Sequence, residues 1–252
     1  MGTKRRWAIV LVMGAVALAP TRAWAMHISE GLLPPAWAGL WWAVALPFVA
    51  WGVWDLQRRS ARDPRAKALV GLAGAAVFII SCMPVPVPGV GSCSHPCGTG
   101  MAAILIGPAP TILLASVALT FQALFLAHGG LSTLGANIVS MGVVGALVGY
   151  GVFRVGLKAR LPVFAAAFLA GLLSDWATYA TTAFELAASL HWDGNLWGVF
   201  GAIVAAFAPT QIPLGLAEGV ISAFAYNFVR QRRPEMLAAM TGGRDEAAAR
   251  VG

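Results

Sequence analysis

The stretch Gly107-Pro108-Ala109-Pro110 interrupts an apolar run that extends from residue 101 to residue 127. Each proline lacks a backbone donor and steers the residue before it away from the helical conformation, so a single helix through the whole run is disfavoured. The stretch therefore predicts two crossings, a short one at about 98 to 107 and a longer one at 110 to 127. So short a crossing must be shielded by protein or line a cavity, because lipid leaves irregular backbone without hydrogen-bond partners.

The rest of the chain is dominated by apolar runs long enough to cross a bilayer of about 30 Å. They cover residues 37–54, 66–82, 137–153, 162–190 and 195–229. With the two crossings on either side of residue 107, the sequence predicts an all-α membrane protein of about seven transmembrane helices. Its 252 residues are 59% hydrophobic and only 11% charged. A soluble domain would have about a quarter charged residues, so that class is excluded.

Basic residues form short patches beside the apolar runs, which is typical of the positive-inside pattern. The patches are residues 58–67, residues 154–160 and the segment that begins at Arg230. Seven crossings place all three in the cytoplasm, whereas six would leave the last two outside. The net charge of +7 is therefore explained by topology and predicts no nucleic-acid partner. The sequence has no Walker A motif, so any ATP-driven role requires other subunits.

The first 25 residues have the layout of a secretory signal peptide. Lys4-Arg5-Arg6 precedes an apolar segment at residues 7–18, and Ala23-Trp24-Ala25 fits a cleavage site. Cleavage after Ala25 would make Met26 the first residue of the mature protein and leave it outside the cytoplasm. The predicted organisation is a cleaved signal peptide at 1–25, a transmembrane metal-binding domain at 26–230 and a cytoplasmic tail at 231–252.

A mature chain that begins Met26-His27 has a metal chelator at its end. The α-amine, the backbone nitrogen of His27 and its Nδ1 can close adjacent five- and six-membered rings around one ion, and a fourth in-plane position stays open. Nitrogen ligands in a plane suit Ni(II), Cu(II) or low-spin Co(II) and disfavour Ca(II) and Mg(II). The alternative is that Met26-His27 is only a spacer after the cleavage site.

The segment 83–100 is rich in proline and glycine, which excludes a long helix, and its low charge favours a loop folded into the helix bundle. His95 in its middle is the obvious supplier of the fourth ligand. It could instead be a surface or hydrogen-bonded residue, or form a thiolate site for Zn(II) or Cu(I) with Cys93 and Cys97. Because the loop is predicted to lie outside the cytoplasm, a disulfide between these cysteines is also allowed. Cys82 is the third cysteine, so at least one thiol is free or pairs elsewhere.

Four further ionisable residues are candidates for a role. His128 follows an apolar run and fits either a helix end or a residue that supports or admits a metal ion. Asp175, Glu185 and Glu218 lie within apolar runs, where an ionisable side chain is a functional candidate by default. For each of the three the alternative is a structural role, and Glu185 is expected near the outer surface.

Three stretches carry a family resemblance. They are Met26-His27-Ile28-Ser29-Glu30-Gly31-Leu32-Leu33, the loop from Pro86 to Gly100, and the run from Gln122 to Asn137. Together they resemble the CbiM/NikM family, the substrate-capture (S) subunits of energy-coupling factor cobalt and nickel importers. The resemblance covers nearly all of residues 26–230. The motif Ser92-Cys93-Ser94-His95-Pro96 is closer to the cobalt branch of the family, CbiM. Ser29-Glu30 stands where the family often has Pro-Asp, and Cys97 where it often has Thr.

The resemblance implies a square-planar nitrogen site made by the Met26 amine, the His27 amide and ring, and the His95 ring. It implies a multi-pass protein of the cell inner membrane with a periplasmic mature N-terminus and a cytoplasmic C-terminus. The implied partners are a transmembrane coupling subunit, two ATPase subunits and a small accessory membrane protein. Cobalt(II), or alternatively nickel(II), is the transported substrate, in support of cobalamin biosynthesis, and no catalytic cofactor is expected.

Two other classes of function remain as alternatives. One is an intramembrane metalloenzyme that uses His27, His95 and a carboxylate such as Asp175, although the sequence has no H-E-x-x-H pair. The other is an ATP-independent metal channel. The preferred prediction is a transporter subunit that performs no covalent chemistry.

Overall fold

The structure is a computed structural model that describes residues 24–25, 27–83, 85–87, 92–190 and 194–241, with only the backbone described at 24–25, 85–87, 92–93 and 241. Residues 1–23 of the predicted signal peptide, the predicted first mature residue Met26 and residues 242–252 of the predicted cytoplasmic tail lie outside the described residues.

Helices account for most of the described chain, and a small sheet joins two irregular segments. The helices are α1 (Pro35–Arg62), α2 (Ala66–Ser81), α3 (Thr99–Ile106), α4 (Pro108–Phe125), α5 (Leu134–Lys158), α6 (Val163–Leu190), α7 (Leu196–Arg232) and α8 (Pro234–Thr241). The strands are β1 (Trp24–Ala25), β2 (Val85–Val87) and β3 (Ser92–Ser94), in the order β1-β3-β2. β1 runs parallel to β3, with Trp24 opposite Ser92, and β2 runs antiparallel to β3.

The predicted all-α membrane fold is confirmed. Among the described residues, five helices, α1, α4, α5, α6 and α7, are long and apolar enough to cross a membrane. α2 is a shorter apolar helix of 16 residues, and the eight residues of α3 span about 12 Å. A helix lies at each of the seven stretches that the sequence singled out, but the number of helices that cross the bilayer stays a prediction.

Gly107 separates α3 from α4, as the sequence predicted. Its φ of 87° lies in the left-handed region that glycine adopts without strain. Pro108 then begins α4 at a position where a missing backbone donor costs no hydrogen bond. Every residue of α3 is buried, so this short helix has the protein shield that its length requires.

Arg59, near the C-terminal end of α1, ties α1 to the end of α3 and to α8. Its Nε lies 2.6 Å from Asp55 Oδ2 in a buried ion pair. Its Nη1 donates to the backbone oxygens of Ile106, at 2.6 Å, and Met240, at 2.7 Å. The Ile106 carbonyl is one of the last in α3 and has no donor within its own helix. The basic end of α1 and the C-terminal end of α3 therefore lie on the same side of the bundle.

Helices α6 and α7 pack closely along their length because small residues line their contact. A Cβ on Gly171 of α6 would lie 2.5 Å from the backbone oxygen of Glu218, and a Cβ on Gly219 of α7 would lie 2.8 Å from Phe168 Cε2. Lipid is as apolar as the helix surfaces, so the hydrophobic effect does not hold transmembrane helices together. Close packing of backbones at small residues stabilises their association instead. The closely packed pair α6 and α7 contacts the loop that precedes α3.

The orientation of the helices in the membrane can be tested by cysteine labelling. In a background without Cys82, Cys93 and Cys97, we expect Lys158→Cys to react only from the cytoplasm and Leu131→Cys only from outside, because an odd number of crossings keeps every basic patch inside. The measurement is modification by a membrane-impermeant thiol reagent in intact cells and in inverted vesicles. Labelling of Lys158→Cys from outside would contradict seven crossings.

Candidate metal centre

The segment that follows residue 26 is held in the bundle by hydrogen bonds to its backbone. Ile28 N donates to Asn137 Oδ1 at 2.8 Å, and Asn137 Nδ2 donates to Ile28 O at 3.2 Å. Thr133 Oγ1 also donates to Ile28 O, at 2.5 Å. Buried backbone polar groups need such partners, and these partners fix the residue next to His27. The His27 side chain is consequently buried, with 3% of its surface exposed.

Glu30 fastens the same segment to the turn between α4 and α5. Its Oε2 accepts from Ser132 N at 3.0 Å. Gly130 passes so close that an added Cβ would lie 2.5 Å from Glu30 Cα. The departure Ser29-Glu30 from the family's usual Pro-Asp therefore preserves a carboxylate that binds this turn.

The loop that carries His95 is held by α6 and α7. Tyr179 OH, from α6, donates to His95 O at 3.1 Å and accepts from His95 N at 3.4 Å. Glu218 Oε1, from α7, accepts from Gly98 N at 3.1 Å and also from Cys97 N. Residues 94–100 are all buried. For this described part, the prediction that the segment folds into the bundle is confirmed.

Three histidine side chains meet where these two segments approach α4. His27 Nε2 lies 3.2 Å from His95 Nε2, and the centroids of these two rings are 4.6 Å apart. The His128 ring completes the cluster, with centroid distances of 4.7 Å to His27 and 5.0 Å to His95. One nitrogen from each ring lies within 4.8 Å of the others. His128 is thus both a helix-end residue, as its position after α4 indicated, and a neighbour of the two predicted ligands.

The hydrogen bonds assign a tautomer to each predicted ligand. His95 Nδ1 lies 2.9 Å from Pro96 O, and a carbonyl only accepts, so Nδ1 has the proton and Nε2 has the lone pair. His27 Nε2 lies 2.9 Å from Gln122 Oε1, whose amide is oriented because its Nε2 donates to Ser81 Oγ at 2.7 Å. His27 Nε2 is therefore the donor, and its Nδ1 keeps the lone pair. These lone pairs are the ones that the predicted clamp requires.

Burial keeps all three rings neutral. It lowers the pKa of His27 well below its ordinary value, with a further lowering from the nearby His95, and it lowers the pKa of His95 to about 3. Burial also lowers the pKa of His128. Neutral imidazole is the form that binds metal, so the cluster is ready to accept a cation at physiological pH.

A second cluster consists of Cys97, Asp175 and Glu218, all buried. Cys97 is a free thiol whose Sγ donates to Asp175 Oδ1 at 3.8 Å. Among the described side chains, Cys97 therefore takes part in no disulfide. Because His95 belongs to the histidine cluster and Cys97 to this one, these two residues do not share the site expected for the thiolate alternative. Asp175 is likewise not grouped with His27 and His95, as the metalloenzyme alternative required.

Sequence reasoning missed the residues that position the two predicted ligands. Gln122 and Asn137 lie in a stretch that carried the family resemblance, yet no role was assigned to either, and Tyr179 was not singled out. Buried amides within apolar runs of a membrane protein are the signal that could have found the first two.

Glu185 is buried, and both of its carboxylate oxygens lack a hydrogen-bond partner among the described residues.

Comparisons with known proteins agree with this fold and with the earlier resemblance. The family model CbiM, described as the cobalt uptake substrate-specific transmembrane region, matches residues 27–236. A "Cobalt transport protein CbiM" of Sorangium cellulosum is 56% identical over 84% of this chain and 94% of that protein. Another, of Geobacter sulfurreducens, is 54% identical over 91% of this chain and 66% of that protein.

Solved structures give the same architecture. A structure of a transition metal transporter superposes with a TM-score of 0.74 at 24% identity, covering 83% of this chain and 96% of that chain. A truncated transition metal transporter has a TM-score of 0.72 at 25% identity, covering 81% of this chain and 98% of that chain. These likenesses support the fold of the bundle.

Gln122 offers a test of how the site is oriented. Gln122→Leu removes the acceptor that fixes the His27 tautomer, and we expect Co(II) affinity to fall by about 10–100-fold, the usual cost of losing a partner of a metal-binding histidine. Gln122→Glu retains an acceptor and should keep the affinity near that of the wild type. The measurement is equilibrium Co(II) binding to purified mature protein. Equal losses in the two variants would show that the acceptor oxygen of Gln122 does not orient the site.

Proposed function

We propose, from the premise that this chain belongs to the CbiM family, that it is the substrate-capture subunit of an ATP-driven cobalt(II) importer. The observation that carries the proposal is the meeting of the His27 and His95 rings, whose centroids lie 4.6 Å apart although the residues come from two separate irregular segments. A family of cobalt uptake regions and a buried cluster of neutral imidazoles point to the same class of substrate.

The proposed binding site has four nitrogens in a plane. The Met26 amine, the His27 backbone nitrogen and His27 Nδ1 form a tridentate clamp, and His95 Nε2 fills the fourth position. The hydrogen bonds to Gln122 and Pro96 support this arrangement because they leave the required nitrogen of each ring without a proton. A planar nitrogen field suits low-spin Co(II) and excludes the hard cations Ca(II) and Mg(II).

The clamp requires a processed N-terminus, so we include removal of residues 1–25 in the proposal. Residues 26–230 then form the transmembrane metal-binding domain, with Met26 on the periplasmic side of the inner membrane and the tail at 231–252 in the cytoplasm. The N-terminal residue of the mature protein, determined by mass spectrometry, checks this step directly. A mature chain that starts at any residue other than Met26 would remove the clamp.

Energy for uptake must come from other subunits, because the sequence contains no nucleotide-binding motif. We assign the coupling to a transmembrane partner, two ATPases and a small accessory membrane protein, the set that the family resemblance implies. The chain itself binds the ion outside and releases it inward when its partners act. It forms and breaks no covalent bond.

The fourth ligand can be tested by substitution. His95→Ala should lower Co(II) affinity by more than about 100-fold, because water replaces the imidazole in the fourth position and the loop then supplies no ligand. Cys93→Ser and Cys97→Ser should retain binding at this site, since neither thiol is a ligand in it. Calorimetric or fluorescence titration of the three purified variants is the measurement. Loss of tight binding in the two cysteine variants would instead favour the thiolate alternative.

The N-terminal clamp depends on cleavage of the peptide bond between Ala25 and Met26. Ala25→Pro should block cleavage and abolish high-affinity binding, because the Met26 nitrogen then stays an amide, whereas Ala25→Gly keeps a small residue and should be cleaved and bind normally. Mass spectrometry establishes the processing of each variant, and Co(II) titration measures its affinity.

Insertion of one glycine between Ala25 and Met26 tests the same clamp in a cleaved protein. His27 then becomes the third residue, and an amine, two amides and its ring can occupy all four planar positions. We expect retained metal that no longer depends on His95, together with lost uptake. Normal cobalt uptake by this protein, or by one shown to be uncleaved, would refute the clamp.

A further inference from the structure

The second cluster brings one sulfur and two carboxylates together from three separate elements. Cys97 lies in the loop before α3, Asp175 lies on α6 and Glu218 lies on α7. One ligand atom from each lies within 4.8 Å of the others, and none of the side chains is more than 2% exposed. A thiol and two carboxyls from three elements therefore converge on one small volume inside the bundle.

Two carboxylate oxygens in this cluster receive no hydrogen bond from any other kind of group. Glu218 Oε1 accepts from the loop backbone and Asp175 Oδ1 accepts from Cys97, whereas Asp175 Oδ2 and Glu218 Oε2 are buried and the two carboxyl groups contact each other. Among the described residues, neither carboxylate forms an ion pair with a lysine or arginine. An unpaired carboxylate is costly inside a membrane protein, and a bound cation would remove that cost.

Further polar groups lie on the same face of α7. Gln211 and Ser222 are seven residues before and four residues after Glu218, a spacing that places all three on one side of the helix. Both are buried, and Ser222 Oγ has no hydrogen-bond partner among the described residues. The side of α7 that carries Glu218 is therefore polar over several turns within an otherwise apolar helix.

We propose that Cys97 Sγ, Asp175 and Glu218 form a second metal site, which takes a divalent transition-metal ion such as Co(II). Thiolate and carboxylate donors suit tetrahedral Co(II) or Zn(II), unlike the planar nitrogen set of the histidine cluster.

The position of this site suggests its use. Cys97 follows His95 by two residues, so their backbones are at most about 7 Å apart. An ion that dissociates from His95 can therefore bind next to the thiol and carboxyl groups of the second cluster, which lies beside the polar face of α7. This role as a stopping point during release rests on the proposed function, whereas the existence of the site does not.

The test is a Co(II) titration of the purified mature protein, followed by the sulfur-to-cobalt charge-transfer absorption that only a thiolate ligand produces. We expect a second equivalent of Co(II) to bind with this band. Cys97→Ser should lose the band, and Asp175→Asn should weaken the second equivalent by at least about tenfold. Cys82→Ser, which removes a thiol near Gln122, is the matched control and should keep the band.

The outcomes separate this proposal from the capture site. A thiolate band without the first equivalent would leave the second site standing and refute the nitrogen clamp. Binding of the first equivalent alone, with Cys97 shown by thiol titration to be reduced, would refute the second site. If Asp175→Asn lowers the melting temperature but leaves both equivalents intact, the two carboxyls are a structural pair that shares a proton, and the proposal is overturned.

Discussion

Backbone polar groups inside a membrane protein must find their hydrogen-bond partners within the protein, and the candidate metal centre depends on how two irregular segments meet this constraint. The segment after residue 26 is satisfied by Asn137 and Thr133. The loop before α3 is satisfied by Tyr179 and Glu218. These side chains do more than remove a desolvation cost, because they determine where the flanking histidines lie. The structure brings the two histidines together because these partners fix the position of each segment.

The two ligand segments are supported by different helices. Side chains at the ends of α4 and α5 hold the segment with His27, whereas α6 and α7 hold the loop with His95. The separation of the two rings, with Nε2 atoms 3.2 Å apart, therefore depends on how these pairs of helices pack against each other. Gly171 and Gly219 make α6 and α7 a close pair, so the loop is attached to a stiff unit. The proposed site therefore requires that these two pairs of helices stay together.

Much of this account could be predicted from the sequence, because local chemistry determined it. Proline and glycine at 107–110 determine where α3 ends and α4 begins, and the spacing of Met26 and His27 suits a chelating ring. The partners of those residues could not be predicted, because they depend on contacts between helices far apart in sequence. Gln122 meets His27 across 95 positions, and Glu218 meets Gly98 across 120. An amide in an apolar run shows that it needs a partner, but the sequence does not show which residue supplies it.

The central claim is that cobalt is held by four nitrogens, one of which is the amine of a processed N-terminus. The most direct measurement is electron paramagnetic resonance of the purified mature Cys97→Ser protein loaded with one equivalent of Co(II), with natural and with ¹⁵N-labelled histidine. The account predicts a low-spin spectrum with nitrogen hyperfine splitting that changes on labelling, as a planar nitrogen field requires. A high-spin spectrum that is unaffected by histidine labelling would contradict it.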